Sequence, residues 1–389
     1  MEQHETTILN TGEKMSGFSV EESKGNYGAK IKVIGVGGGG GNMVNHMLKE
    51  GISGIDLIVA NTDAQALEHS LAPTKLQLGE KKTKGLGAGM IPDVGRESAL
   101  ESYEEIKSAL EHADIVFVAS GFGGGTGTGA APVIAQAAKE IGALTVAVVT
   151  KPFMFEGRKR LKLAELGLNE LKKESDSIVV IPNDKLLSIV DKNLGIKDSF
   201  KIVDDVLCRA VSGMSLVVLS SGQSDINLDF ADVKTVMSHR GMALMGVGES
   251  SGERAASEAV KSAIESPLLD NMSINGALGV LIHFHIPPSC PITEISEAMN
   301  IVYDSADEDA DVIFGTTTDE SMAEGSVKVT IVATGFENKI EKTKELKALN
   351  ENQEAIKRER IMRLKKVSGG YEGQEDYLDI PTYIRHQMD

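Results

Sequence analysis

Two apolar, strand-like runs in this chain are each followed at once by a run of glycines, and nothing else in the sequence constrains the fold as much. Residues 30–36 read as a buried strand, followed by Gly37 to Gly41 and an apolar-periodic helix around residues 43–48. Residues 114–120 read the same way, followed by Gly121-Phe122-Gly123-Gly124-Gly125-Thr126-Gly127-Thr128-Gly129 and a helical pattern over 130–140. In a parallel sheet both loops emerge at the carboxyl edge of the strands, where each offers unpaired backbone N–H groups with a helix N-terminus behind them. Gly35-Val36-Gly37-Gly38-Gly39-Gly40 fits GxGxxG, which alone suits a dinucleotide-binding turn or a turn that merely needs glycine's freedom. Two such loops fit one polyphosphate better than two unrelated turns. A third glycine-rich loop, Lys84 to Gly89, lies between them. No GK[ST] occurs, so phosphate charge has to be met by backbone amides, helix dipoles, a bound cation and Arg160.

Further strands are expected at 57–61, 144–150 and 177–181, separated by helical patterns such as 157–173, which is the alternation of a parallel sheet covered on both faces. A long helix is expected at about 200–220, then a polar break at 220–224. A second α/β region follows over 226–336, with strands at 279–286, 311–315 and 327–334. The fold class is therefore α/β: a parallel-sheet, Rossmann-like domain joined by a long central helix to a second, smaller α/β domain. The expected organisation is a disordered arm (1–29), the nucleotide domain (30–199), the central helix and connection (200–225), the second domain (226–336), a linker (337–375) and a terminal peptide (376–389). Residues 337–367 hold 10 Lys+Arg and 6 Asp+Glu, whereas 371–389 hold 1 and 5, so a basic linker ends in an acidic tip.

The net charge of −17 argues against a general nucleic-acid binder. Cys208 and Cys290 sit in no CxxC or Cys/His spacing, which suits a reducing cytoplasm and suggests neither a disulfide framework nor a zinc site. No apolar stretch approaches the ~20 residues that cross a bilayer, so no direct membrane insertion is expected. His283 and His285 alternate on one expected strand face, but without a Cys or carboxylate at ligand spacing they read as structural. Met237, Met242 and Met245 read as packing.

The run Gly123 to Gly129 resembles the signature of the tubulin and FtsZ GTPases. Ile31 to Asn42, Asn61 to Leu67 and Lys151-Pro152-Phe153 are similar to the FtsZ branch of that family, over about residues 30–336 and again at the extreme C-terminus. The resemblance implies a polymerising GTPase of bacterial cell division that binds GTP or GDP, with Mg2+ held through the phosphates. By the same resemblance Gly38, Gly39, Gly40, Gly41 and Asn42 form the first nucleotide loop. Ala88 and Gly89 lie in the loop approaching the γ-phosphate, and Gly125, Thr126 and Gly127 contact phosphate. Glu156 and Arg160 reach the sugar, Phe200 stacks on the base, and Asp204 reads guanine. A carboxylate suits that last task, since it accepts from both N1–H and N2–H2. After Gly89 the family has a small residue and Asn, whereas this chain has Met90 and Ile91.

No glycine loop offers a group to activate water. Asn227-Leu228-Asp229-Phe230-Ala231-Asp232 reads on its own as a capped start to a helix over 232–240. The resemblance implies instead that Asp229 and Asp232, with Asn227 beside them, enter the nucleotide site of the next subunit. Such a head-to-tail contact does not close and generates filaments. Asp376 to Arg385 resembles the family's terminal peptide, which docks on membrane-tethering and regulatory division proteins; the protein is then expected in the cytoplasm, at the division site at mid-cell. A nicotinamide-dependent oxidoreductase using Gly35 to Gly40 is the alternative, and it leaves the second glycine loop without a role.

Overall fold

In a computed structural model, residues 29–52, 54–186, 195–219, 230–239, 241–266, 274 and 276–336 are described. The N-terminal arm, the break at 220–224, Asn227, Asp229, the linker and the terminal peptide lie outside the described residues.

The first half alternates strand and helix as expected, with a short edge strand, β3, that the sequence reading did not include: β1 (Ile31–Val36), α1 (Gly37–Lys49), β2 (Asp56–Asn61), α2 (Ala64–Glu68), β3 (Thr74–Gln77), α3 (Glu80–Thr83), α4 (Pro92–Glu101) and α5 (Tyr103–Leu110). There follow β4 (Ile115–Gly121), α6 (Thr126–Glu140), β5 (Leu144–Lys151), a 3-10 turn at Met154–Glu156, α7 (Arg158–Glu174), β6 (Ser177–Pro182) and α8 (Asn183–Leu186). Strands β1, β4 and β5 are buried along almost their whole length, which is why they read as continuous apolar runs rather than alternating ones. Every pairing among β1 to β6 is parallel.

The central helix α9 runs over Ile196–Leu219, and α10 (Phe230–Met237), β7 (Gly241–Ser251), α11 (Ala255–Ile264), β8 (Gly279–Ile286), α12 (Ile292–Ser305), β9 (Asp311–Thr318) and β10 (Ser326–Thr334) complete the described chain. Strand β7 is absent from the sequence reading, which assigned Met242 and Met245 to packing alone. It pairs parallel with β6 from Ser177↔Gly241 to Val179↔Ala243 and antiparallel with β10 along most of its length. The two halves therefore share one sheet, ordered β3-β2-β1-β4-β5-β6-β7-β10-β8-β9. Helix α9 crosses beneath it. Val203, Leu207, Val211 and Met214 of α9 share a core with Val33 and Met43 from the first half and Leu281 and Val332 from the second.

The glycine runs differ from expectation in one respect. Helix α1 begins at Gly37 rather than near Met43, and α6 at Thr126 rather than Ala130, so the glycines form the first turns of the helices. Glycine costs a helix about 1 kcal/mol per residue, and sterics explain its use here. A Cβ on Gly40 would stand 2.3 Å from the Ala119 carbonyl oxygen, and one on Gly35 would stand 2.2 Å from the Gly40 oxygen. Only bare backbone lets α1 start this close to β1 and β4.

Candidate nucleotide site

The three glycine-rich loops meet. A Cβ on Gly39 would lie 3.0 Å from Gly121 Cα, one on Gly125 2.3 Å from the Gly89 carbonyl oxygen, and one on Gly127 2.5 Å from Ser120 Oγ. The Thr62 and Thr126 hydroxyls, 2.6 Å apart, tie the segment after β2 to the start of α6. Between the loops lies a cavity of about 560 Å3. Its lining holds Gly38, Gly39 and Asn42 from the first loop, Ala88 and Gly89 from the third, Gly125, Thr126 and Gly127 from the second, then Glu156, Arg160, Phe200 and Asp204. Gly40 and Gly41 do not line it and are buried behind the loop in α1. Gly38, Gly89 and Gly124 are of another kind, because a Cβ on any of them would touch nothing within 4 Å. These three leave room that a ligand can fill, while their neighbours let backbones pack.

Glu156 and Arg160 form an ion pair at 2.5 Å, and Glu156 also accepts from the Phe153 amide at 2.9 Å. The carboxylate thus holds the 3-10 turn and orients the guanidinium together. Phe200 meets Phe153 edge-on at 5.5 Å between centroids and stays 40% exposed where it lines the cavity. Burial pushes the Asp204 carboxyl up to about 6, against the opposing pull of His46. Of two further polar lining residues, Asp63 belongs to the stretch Asn61 to Leu67 that carries the family resemblance, while Asn183 escaped the sequence reading. Asp63 caps α2, accepting from the Gln65 and Ala66 amides at 2.9 and 3.3 Å. Asn183, at the carboxyl end of β6, is buried with no hydrogen-bond partner for its Oδ1. A polar residue directly after a buried parallel strand was the available signal.

Asp232 lies in the first turn of α10, exposed and away from this cavity's lining. His283 is 3% exposed and shares a 2.9 Å hydrogen bond with the Thr317 hydroxyl, and burial pushes its pKa down to about 3. Asp319 stands 3.1 Å from His285. No cluster of three or more ligating side chains occurs among the described residues.

Comparison with known proteins follows the same lines. Residues 30–191 match the model of the tubulin/FtsZ family GTPase domain, and residues 241–337 match that of the FtsZ family C-terminal domain. The chain belongs to the tubulin/FtsZ family. It is 46% identical over 366 residues to the cell division protein FtsZ of Helicobacter pylori, covering 93% of each chain. Among solved structures it resembles an empty FtsZ dimer from M. jannaschii, with a TM-score of 0.75, 48% identity and coverage of 79% of this chain and 88% of that one. CetZ2 from Haloferax volcanii, described as a GTPgS-bound protofilament, shares the fold at 20% identity and a TM-score of 0.68, covering 83% of this chain and 99% of that one. As a member of the FtsZ branch the protein is a GTP-binding, GTP-hydrolysing cell-division protein of the tubulin class. Nothing in these comparisons supports the oxidoreductase alternative.

Proposed function

We propose that the cavity between the three glycine loops binds GTP, and that hydrolysis takes place only when a second copy of the chain seats its Asp232 face on the cavity mouth. The observation that carries this reading is the separation of two halves of one site. Phosphate-ready backbone, the sugar pair Glu156–Arg160, the aromatic Phe200 and the guanine reader Asp204 line one cavity, while Asp232 stands exposed elsewhere on the chain. Gly38, Gly39, Gly125, Thr126 and Gly127 offer amides to the phosphates, with the N-termini of α1 and α6 behind them. Asn42, Ala88 and Gly89 close the phosphate end; Gly40 and Gly41 set the height of the loop. Asp232, with Asp229 and Asn227 from the same loop, polarises and orients the attacking water, a task of positioning and charge rather than covalent chemistry.

The lining contains one carboxylate near the loops, Asp63, and the Thr126 hydroxyl. Mg2+ keeps most of its waters and takes one or two protein oxygens besides phosphate, so this set suits it. When bound, it would neutralise phosphate charge, since no lysine is among the described residues that line the cavity. The domain limits 30–199 and 226–336, the filament, partner docking through Asp376 to Arg385, and a cytoplasmic location at mid-cell belong to the same reading.

The test is GTP-dependent pelleting with phosphate release followed across protein concentration. Activity per molecule should rise with concentration, and Asp232→Ala should bind GTP yet barely hydrolyse it. Equal specific activity at very low and high concentration would sink the shared site.

A further inference from the structure

A cavity of about 330 Å3 opens where β1 and β2 begin, at the edge of the sheet opposite the glycine loops. Leu48 from the end of α1, Ile52 and Ile55 from the turn into β2, Pro73 just before β3 and Ala109 of α5 line it. Leu48, Ile52 and Ile55 pack against the core yet are only half buried. Lys32 lines the cavity too, with its side chain 15% exposed. Its ammonium donates to the Ala109 carbonyl at 2.9 Å, and the Asp56 carboxylate comes no nearer than 4.0 Å. An ammonium carries three donors, so the described residues leave this mostly buried cation short of partners, a costly state. The face of an aromatic ring within about 6 Å is one group that relieves it.

What covers the cavity follows from where the chain enters the fold. Lys30 is pinned beside β4: its amide donates to Asp114 Oδ2 at 2.7 Å, and its carbonyl accepts from the Asp114 and Ile115 amides at 2.9 and 3.2 Å. From there the chain runs directly into β1, which pairs with β2 from Lys32↔Asp56 onward. The residues before Lys30 therefore reach it across the edge that carries the cavity. Tyr27 is the aromatic nearest to Lys30 in that direction, and Glu21 to Asn26 before it hold no apolar side chain. Three residues of extended chain span at most ~10 Å. At the β1–β2 offset Tyr27 comes level with Gly51, next to the lining Ile52. A tyrosine suits the place, since it offers an apolar body, a π face for a cation and a polar tip for the rim.

We propose that the Tyr27 side chain fills this cavity, with its ring against Leu48, Ile52 and Ile55 and its face toward the Lys32 ammonium. The N-terminal segment is thereby anchored to its own chain at the amino edge of the sheet, far from the nucleotide.

The chain contains no tryptophan, so Tyr27→Trp in the full chain gives a single indole emitter. The seat predicts blue-shifted emission and acrylamide quenching several-fold weaker than in the same protein unfolded in urea, at every protein concentration. Adding Ile52→Glu should restore the quenching of the unfolded chain while GDP affinity, read at the opposite edge, is unchanged. A second measurement needs no change to the cavity wall. Tyr27→Ala should lower the thermal midpoint by roughly 2–4 °C, the loss of one buried aromatic side chain, whereas Tyr27→Phe should hold it and Tyr27→Leu should fall between. An indole quenched as freely in the folded protein as in urea overturns the proposal, and so does an unaltered midpoint for Tyr27→Ala. Protection that survives Ile52→Glu puts the ring elsewhere, and protection that grows with concentration makes a second copy the cover; either result also overturns it.

Discussion

Lowering the pH from 7 to 5 probes Asp204 in two ways at once. Its carboxyl is pushed by burial from 3.8 up to about 6. In the proposed role of Asp204 only the ionised form accepts both guanine donors, so the fraction competent to bind is about nine-tenths at pH 7 and about one-eleventh at pH 5. Apparent affinity scales with that fraction, which predicts GDP binding about tenfold weaker at pH 5. A terminal phosphate titrates near pH 6 as well, so the informative quantity is the difference from Asp204→Asn, which keeps one acceptor and has no titration of its own. Calorimetric titration in two buffers of different ionisation enthalpy should find close to one extra proton released by the unsubstituted protein at pH 5. Stability moves the other way. Between about pH 4 and 6 the folded chain holds this proton while the unfolded chain has lost it, so nucleotide-free stability falls as pH rises through that window and is level above it. A shift of about two units corresponds to about 3 kcal/mol, which partial exposure reduces to roughly 1–2 kcal/mol. Asp204→Asn should therefore be the more stable protein and the weaker binder at pH 7. The reasoning fails if the variant is less stable than the parent, or if both lose GDP affinity with the same slope below pH 6.

The division among glycines predicts opposite faults from similar changes. Gly40→Ala places a methyl 2.3 Å from a backbone oxygen and should cost about 3 kcal/mol or more in thermal denaturation, whereas Gly38→Ala, with open space around it, should leave stability within about 0.5 kcal/mol and weaken GDP binding at least tenfold in the same calorimetric assay. His283, held neutral down to about pH 3 by burial, binds a proton in the unfolded chain from about pH 6.5 downward, so stability should fall with falling pH across that range. His283→Gln, measured by urea denaturation at pH 7 and 5, should lose most of that slope; an unaltered slope would place it on other groups.

The sequence showed the sheet's centre plainly, because β1, β4 and β5 are buried on both faces and read as unbroken apolar runs. Strand β7 was hidden for a physical reason. Its stretch Gly241-Met242-Ala243-Leu244-Met245-Gly246-Val247-Gly248 is poor in β-branched residues and rich in glycine, and a Cβ on Gly248 would stand 2.0 Å from the Ala259 carbonyl oxygen of α11. What makes that segment a strand is its partners, β6 and β10, which no local pattern announces. The glycine helices were misplaced for a related reason, since propensity disfavours glycine in a first turn while the touching backbones demand it. Within the site, Glu156 with Arg160 and Phe200 with Asp204 carried readable i, i+4 spacing, yet their assignment to a nucleotide came from family resemblance. Asn183 became visible only once the strand ends were brought together.

Bare backbone therefore does two separate things here, and the difference bears on why the enzyme would need a second copy. The glycines that touch neighbours draw three loops to within contact distance; the glycines that touch nothing leave the space those loops surround. What results is a cradle built from amides and helix ends, whose one lining arginine is already engaged by Glu156. In the proposed reading such a cradle holds triphosphate without activating water, because its donors are aimed at charge already present while Asp63 is engaged by the α2 amides and Glu156 by Arg160 and the Phe153 amide. If the water-polarising carboxylate is Asp232 on α10 of another copy, as proposed above, hydrolysis becomes contingent on contact, so the strength of that contact becomes a determinant of turnover as well as of assembly.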